Sequence, residues 1–448
     1  MQHRRLGIVV RLTSKASAGM LAVLGLALAG CPADSDDDAG EDGIGPLPMG
    51  GSTGGDDGTA SSPGDTGGGT GGTGDGGDTD ADETMGAKFD IGPFPDVGGG
   101  GDSCQTDPNA DEDNDGFSVA EGDCNDCDPN VNPGAIEVEV TEPDMMGVVP
   151  DPADENCDGL IDNVLPPCDA GISLTTTDPY DAAAAIGLCK NSAGPGDWGI
   201  VDASFVRANG GAFNQPLQHG VMGSFGTNVS PLEGDNLLVL STGHARVTSQ
   251  ANACNSNTCT NSGAGTAPPG FPQDVPMCPG ETSIYDDVAL EVTLRAPTNA
   301  TGYAFSFDFY SFEYPEWVCD SYNDQFIALV DPPPPGSING NISFDAMTNP
   351  VSVNVAFFEV CSGCSLGTAE LLGTGFDAWD TLFYPALQNA GATSWLASTA
   401  PVDGGELVTI RFAIWDTGDT QWDSTALIDN FRWIADGGTV TVGTVPEG

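Results

Sequence analysis

Residues 104–168 carry 18 carboxylates and not one Lys, Arg or His. Charge of a single sign opposes compaction, so this stretch folds only if cations gather its acids. The acids are spaced for that. Asp111, Asp113 and Asp115 alternate, and Gly116 follows. This places carboxylates at positions 1, 3 and 5 of a calcium-type loop, with the turn glycine at 6. The carbonyl of Phe117 falls at position 7, and Asp123, Asp126 and Asp128 come next. Position 12 is Gly122 rather than Glu, so the loop is not an EF-hand. A shorter second loop runs Asp154, Asn156, Asp158, Gly159 and Asp162, with oxygens at positions 1, 3, 5 and 9. Hard oxygen ligands without imidazole or thiolate favour Ca²⁺ over a transition metal.

The stretches Gly122 to Asp126, Asn132 to Ala135 and Asn156 to Gly159 resemble the metal-binding motif of MopE-type bacterial surface proteins. That motif is similar in style to thrombospondin type 3 calcium repeats. The resemblance covers about 55 residues, and an insertion at about 138–153 departs from the usual pattern.

Upstream, residues 1–30 read as a secretory signal. Arg4, Arg5, Arg11 and Lys15 precede an apolar run from Ala16 to Ala29, too short to span a bilayer. The run ends Leu28-Ala29-Gly30-Cys31, which resembles the lipobox of bacterial lipoproteins. The resemblance implies lipid on the Cys31 thiol, cleavage before it, and a place in the cell envelope, at the outer membrane or cell surface. Processing would leave seven basic residues against 66 acidic ones, a net charge of −59. Such a balance excludes nucleic acid as a partner and electrostatic docking on anionic lipid. Residues 31–103 form the expected tether. Positions 32–103 hold 23 Gly, 17 acids, one Lys and two aromatics, a composition that cannot bury a core and should stay disordered. A Gly-rich coil of this length spans roughly 45–50 Å.

With Cys31 set aside, 12 Cys remain, an even number in an oxidising compartment. Cys124 with Cys157, Cys254 with Cys259, and Cys361 with Cys364 are disulfide candidates, although spacing alone does not fix connectivity. Cys361 to Cys364 has the CxxC spacing but lacks the βαβ context of a redox site.

From 169 to 436 the charge density falls and aromatics return. Asp178 and Pro179 fit the N-cap and first turn of a short helix reaching Leu188. Beyond it, Val288 to Leu294, Phe305 to Phe309 and Val408 to Ile414 alternate apolar with polar residues, and Leu427 to Trp433 adds another strand. Asn339-Gly340 signals a hairpin. Pro332 to Pro335 form a stiff loop, and 249–283 is a long insertion. The fold class is mainly β: a jelly-roll-like β-sandwich with one short N-terminal helix, followed by a flexible tail over 437–448.

Several spaced motifs of this region resemble the bacterial choice-of-anchor L domain. They are Asp178 to Leu188, Gly234 to Gly243, Tyr310 to Glu316, Tyr322 to Phe326, Trp415 to Asp419, and Asp423 to Asn430. Phe312 departs from the family, which usually has Glu there. The resemblance implies an exported location more firmly than an activity.

Two chemistries suit the acids of the sandwich. Glu313, Glu316 and Asp324 are candidate paired carboxylates for glycoside hydrolysis. Alternatively, Glu313, Asn323, Asp324, Asp416, Asp423 and Asp429 satisfy buried backbone groups or form a second hard-cation site, which is the reading adopted. His219 and His244 stand alone, and Ser241 to His244 contains no nucleophile elbow. Trp317 and Trp422 are candidates for exposed sugar-stacking surfaces. The expectation is a lipid-anchored, calcium-binding, non-catalytic surface protein that contacts matrix, polysaccharide or a surface protein. A carbohydrate-active enzyme is the alternative.

Overall fold

The computed structural model describes residues 107–139, 152–259, 262–355, 357–377, 390–435 and 437–447. The signal, Cys31, the tether and Trp379 lie outside the described residues.

The helix α1 spans Pro179–Ala184. Asp178 caps it by accepting the Tyr180 N–H at 3.0 Å. It stops four residues short of the predicted end because Gly187 adopts φ +94°. That left-handed residue lets the Leu188 N–H return to the Ala183 carbonyl (3.0 Å) and the Gly187 N–H to Ala184 (3.1 Å), a Schellman closure.

Among the described residues twelve strands follow. They are β1 (Gly199–Val206), β2 (His219–Met222), β3 (Leu237–Ser241), β4 (Ile284–Arg295), β5 (Gly302–Ser311) and β6 (Gln325–Asp331). The second six are β7 (Val351–Ser352), β8 (Gly391–Ala392), β9 (Leu396–Pro401), β10 (Leu407–Thr417), β11 (Ser424–Ile434) and β12 (Gly443–Pro446). One sheet has the order β1-β4-β10-β6-β7, the other β12-β9-β5-β11-β3-β2 with β8 beside β5. All these strand pairs are antiparallel.

Side chains alternate across a strand, so each strand sends one set of residues between the sheets. Phe305, Phe307 and Phe309 of β5 meet Phe412 of β10 and Phe326 of β6 there. Phe305 packs edge-on to Phe412 with ring centroids 4.9 Å apart. The outer faces are covered too. Tyr310 and Leu427 lie under Phe225, Phe312, Leu371 and Phe376. Ala289, Ala413 and Trp415 lie with Phe271 of the 249–283 insertion. Consequently β5 is buried along its entire length, including Ser306 and Asp308, which the alternation alone would place in solvent.

Asn339 (φ +52°) and Gly340 (φ +86°) form the expected tight hairpin turn. The C-terminal segment departs from the expected flexible tail over 437–448: residues 443–447 are tied to the sandwich. β12 pairs with β9, with Val445 opposite Ala397. Within it, Thr444 and Val445 supply the β-branched residues a strand favours. The Glu447 N–H then donates to the Trp395 carbonyl at 2.9 Å.

Candidate functional site

The first acidic loop is assembled by its own backbone. Asp111 accepts the N–H groups of Asn114 (2.7 Å) and Gly116 (3.0 Å). Asn114 and Gly116 take positive φ to make the turn. Asp113 accepts from Asp115, Asp115 from Phe117, Asp123 from Asn125, and Asp126 from Glu112, all at 2.8–3.2 Å. In each of these four, Oδ1 takes that bond and Oδ2 is buried without a hydrogen-bond partner. Asp123 and Asp126 are 3% and 0% exposed. Oxygens of Asp111, Asp113 and Asp115 lie within 4.8 Å of one another, as do those of Asp113, Asp123 and Asp126. Burial and mutual repulsion push the Asp115 carboxyl up to about 6. Asp128 adds to the repulsion on Asp113, while its Oδ1 accepts from Asn130. Phe117 lies against Gly134, where a Cβ would sit 3.1 Å from its ring. Oxygens aimed at one point without donors suit a hard cation.

The second loop forms the same turn with less convergence. Asp154 accepts from Asp158 (3.1 Å) and Gly159 (2.9 Å), and Asn156 also accepts from Asp158 (2.9 Å). Both Asp158 oxygens are engaged, by Leu160 and Asn163, and Asp162 Oδ1 is buried without a partner. Its three aspartates do not form a group within 4.8 Å among the described residues. Sequence reasoning missed Glu137, which accepts from both Asn156 (3.2 Å) and Asp162 (2.7 Å). The Asn132 N–H donates to the Glu155 carbonyl at 2.8 Å, and the Cys124–Cys157 disulfide joins the two loops.

The segment is docked on the sandwich. Thr298 donates through N–H to the Gly134 carbonyl (3.0 Å) and through Oγ1 to Asn132 Oδ1 (2.7 Å). Asn299 pairs with Ile136. Beside this junction lies a cleft of about 490 Å³ with Trp198, Trp433, Lys190, Arg432, Glu137 and Asn156 among its walls. Lys190 Nζ sits 4.5 Å from the Trp198 ring centroid. These half-buried Trp residues were not the pair singled out from sequence. Trp317 and Trp422 instead pack edge-on to each other at 5.6 Å.

A second group of acids gathers where strand ends meet. Glu313 follows β5, Asp324 precedes β6, Asp416 is the last residue but one of β10 and Asp423 precedes β11. All four are at most 4% exposed, and burial above all raises their pKa values, that of Asp324 to about 7. Asp286 belongs here as well, facing Asp416 and Asp423. Sequence missed it because it sits on a bulge. Between the pairs Ile414–Val288 and Asp416–Tyr285, two residues of β4 oppose one of β10, and Asp286 takes φ +46°. Asn323 has a backbone role, its Oδ1 accepting from Asn354 N–H at 3.0 Å. Asp429 does not join the group. Six residues along β11 separate it from Asp423, about 20 Å of strand. It accepts instead from Leu232 (2.6 Å) and Asn430 (2.6 Å). Glu316 is half-buried in the loop after β5.

All three sequence-proposed disulfides are present, Cys124–Cys157, Cys254–Cys259 and Cys361–Cys364. Cys168–Cys189 and Cys278–Cys319 join them.

Comparison with curated proteins and with solved structures finds no match in either. The family described as the choice-of-anchor L domain matches residues 196–431, more than half of the chain, and the protein belongs to that family of cell-surface domains.

Proposed function

We propose that this is a lipid-anchored, calcium-stabilised surface protein whose sandwich contacts an extracellular polysaccharide or protein without catalysing a reaction. One observation carries the calcium part: Asp113, Asp115, Asp123 and Asp126 each spend one oxygen on the backbone and turn the other, unpartnered, inward. A cation would neutralise acids that otherwise repel and so couple binding to folding. Because the loops also wall the cleft beside Trp198 and Trp433, calcium would shape the surface offered to a ligand. Aromatic faces with nearby Asn, Glu and Lys suit a sugar.

The burial of Glu313 and Asp324, 3% and 0% exposed, supports a non-catalytic reading over a glycosidase. Cys31 and its lipobox-like surroundings support the lipid anchor.

The test is thermal unfolding of the full-length oxidised chain in millimolar Ca²⁺ and in EGTA. A calcium-dependent rise that Asp113→Asn and Asp126→Asn weaken is expected; an unchanged midpoint overturns the calcium reading. Palmitate labelling that survives Cys31→Ser would overturn the anchor, and reducing-sugar release lost in Glu313→Gln would restore the enzyme.

A further inference from the structure

The acids at the strand ends pose a separate problem from those of the loops. Four carboxylates, Glu313, Asp324, Asp416 and Asp423, come from different segments of the sandwich and are at most 4% exposed. Among the described residues, no Lys, Arg or His makes an ion pair with any of them within 4.0 Å. The neighbouring bases are committed elsewhere: Arg207 to Asp287, Arg411 to Glu291, and Arg246 to the carbonyls of His219 and Ala245. Arg432 lies nine residues along β11 from Asp423, about 30 Å of strand away. Buried ionised carboxylates without a counter-charge are costly.

The hydrogen bonds show what is missing. Asp324 is held by the Thr417 N–H (2.9 Å) and the Ser424 hydroxyl (2.6 Å). Asp423 Oδ2 accepts the Cys259 N–H at 2.8 Å. Asp423 Oδ1 has no hydrogen-bond partner, and neither oxygen of Asp416 has one although Asp416 is 1% exposed.

We propose that this junction is an interior divalent-cation site of the sandwich, with Asp416 and Asp423 as direct ligands and Asp324 as the third carboxylate. The donor set is all oxygen, and the segments that supply it are independent, which suits the larger and more tolerant shell of Ca²⁺ better than the strict octahedron of Mg²⁺. No three of these acids have oxygens all within 4.8 Å of one another, unlike those of the first loop. The ion therefore draws the ends of β6, β10 and β11 together, and its binding is a clamp on the sandwich itself. The site is independent of the acidic loops.

The experiment starts from the full-length oxidised chain carrying Asp113→Asn, Asp126→Asn and Asp158→Asn, which disable the loops. Calcium uptake is measured by equilibrium dialysis, and unfolding is followed in Ca²⁺ and in EGTA. This triple variant is expected to keep one tightly held calcium and a midpoint several degrees higher in Ca²⁺. Adding Asp416→Asn should abolish both. Absence of uptake in the triple variant overturns the proposal while leaving the loop reading intact, and uptake that survives Asp416→Asn overturns it equally. A shared proton in place of a metal would appear as a higher midpoint of Asp416→Asn in EGTA with no calcium response in its parent. Should Asp416→Asn fail to fold, Asp423→Asn provides the same comparison, and a retained calcium response there is the overturning result.

Discussion

Asn299 grips Ile136 by both of its backbone groups. Its Nδ2 donates to the Ile136 carbonyl at 2.8 Å, and its Oδ1 accepts the Ile136 N–H at 3.0 Å. A single side chain on the β4–β5 loop thus imitates a strand neighbour for the acidic segment. Asn299 is only 4% exposed, so both bonds are shielded from water.

Asn299→Ala should therefore release the acidic segment while sparing the sandwich. Two lost bonds and a stranded buried N–H correspond to ~2–3 kcal/mol of docking. Hydrogen exchange read over 131–137 would rise sharply, with exchange in β5 and β10 unchanged. Asn299→Asp should be worse, since it removes the donor and adds a charge near acids.

Calcium should act mainly through the first loop. One ion present at a hundredfold excess over its dissociation constant stabilises by ~2.7 kcal/mol. Asp126→Asn is expected to abolish most of the loop contribution, and Asp158→Asn less, because both Asp158 oxygens are already engaged. Titration calorimetry on the two variants checks the order, and the reverse order would refute it.

Acid should test His219. It is stacked on Phe205 with ring centroids 3.8 Å apart. Burial, and then the nearby Arg246 charge, lower its pKa from 6.5 to about 4. The unfolded chain binds the proton more readily, so His219 makes stability fall as pH drops from 6.5 towards 4. Asp429, which burial raises to about 7, acts the opposite way, losing stability as pH climbs from about 4 to about 7. The difference between the native chain and His219→Phe isolates the first effect. The native chain should lose ~3 kcal/mol relative to the variant over that window. Parallel denaturation profiles against pH would contradict this.

The Cys124–Cys157 bridge closes a separation of 33 residues around the insertion. Loop-closure entropy for that length is ~3–4 kcal/mol. Cys157→Ser, made together with Cys124→Ser, should leave the sandwich folded and make residues 152–165 sensitive to protease. Equal protease resistance would show that the Asn132–Glu155 backbone bond holds the loops unaided.

Legibility followed locality. The strands β4, β5 and β10 were readable because each alternates over at least five residues, and β11 because its apolar and aromatic residues favour a strand. The Asp178-Pro179 helix start and the Asn339-Gly340 turn were readable because their chemistry is confined to adjacent residues. The turn of the acidic loop was readable because its aspartates alternate around a glycine within a few adjacent residues. Asp286 was not, because a bulge breaks the period that assigns faces. Asp308 was misleading, since a polar residue on an alternating strand signals solvent, while here Thr393 Oγ1 donates to it at 3.1 Å beneath the outer layer. Asp429 was grouped with Asp423 on residue type, although strand geometry separates them. The tail escaped because β12 spans only four residues and exists by pairing with the distant strand β9.

That last strand also sets how copies meet. β12 forms one rim of the larger sheet, with Val445 and Pro446 facing solvent. A rim of open amides and carbonyls is a template on which a neighbour can add a strand. Here the rim is brief, its proline carries no amide hydrogen, and Glu447 follows with its own amide already engaged. Crowded side by side, neighbouring molecules would find little ladder to extend along this rim.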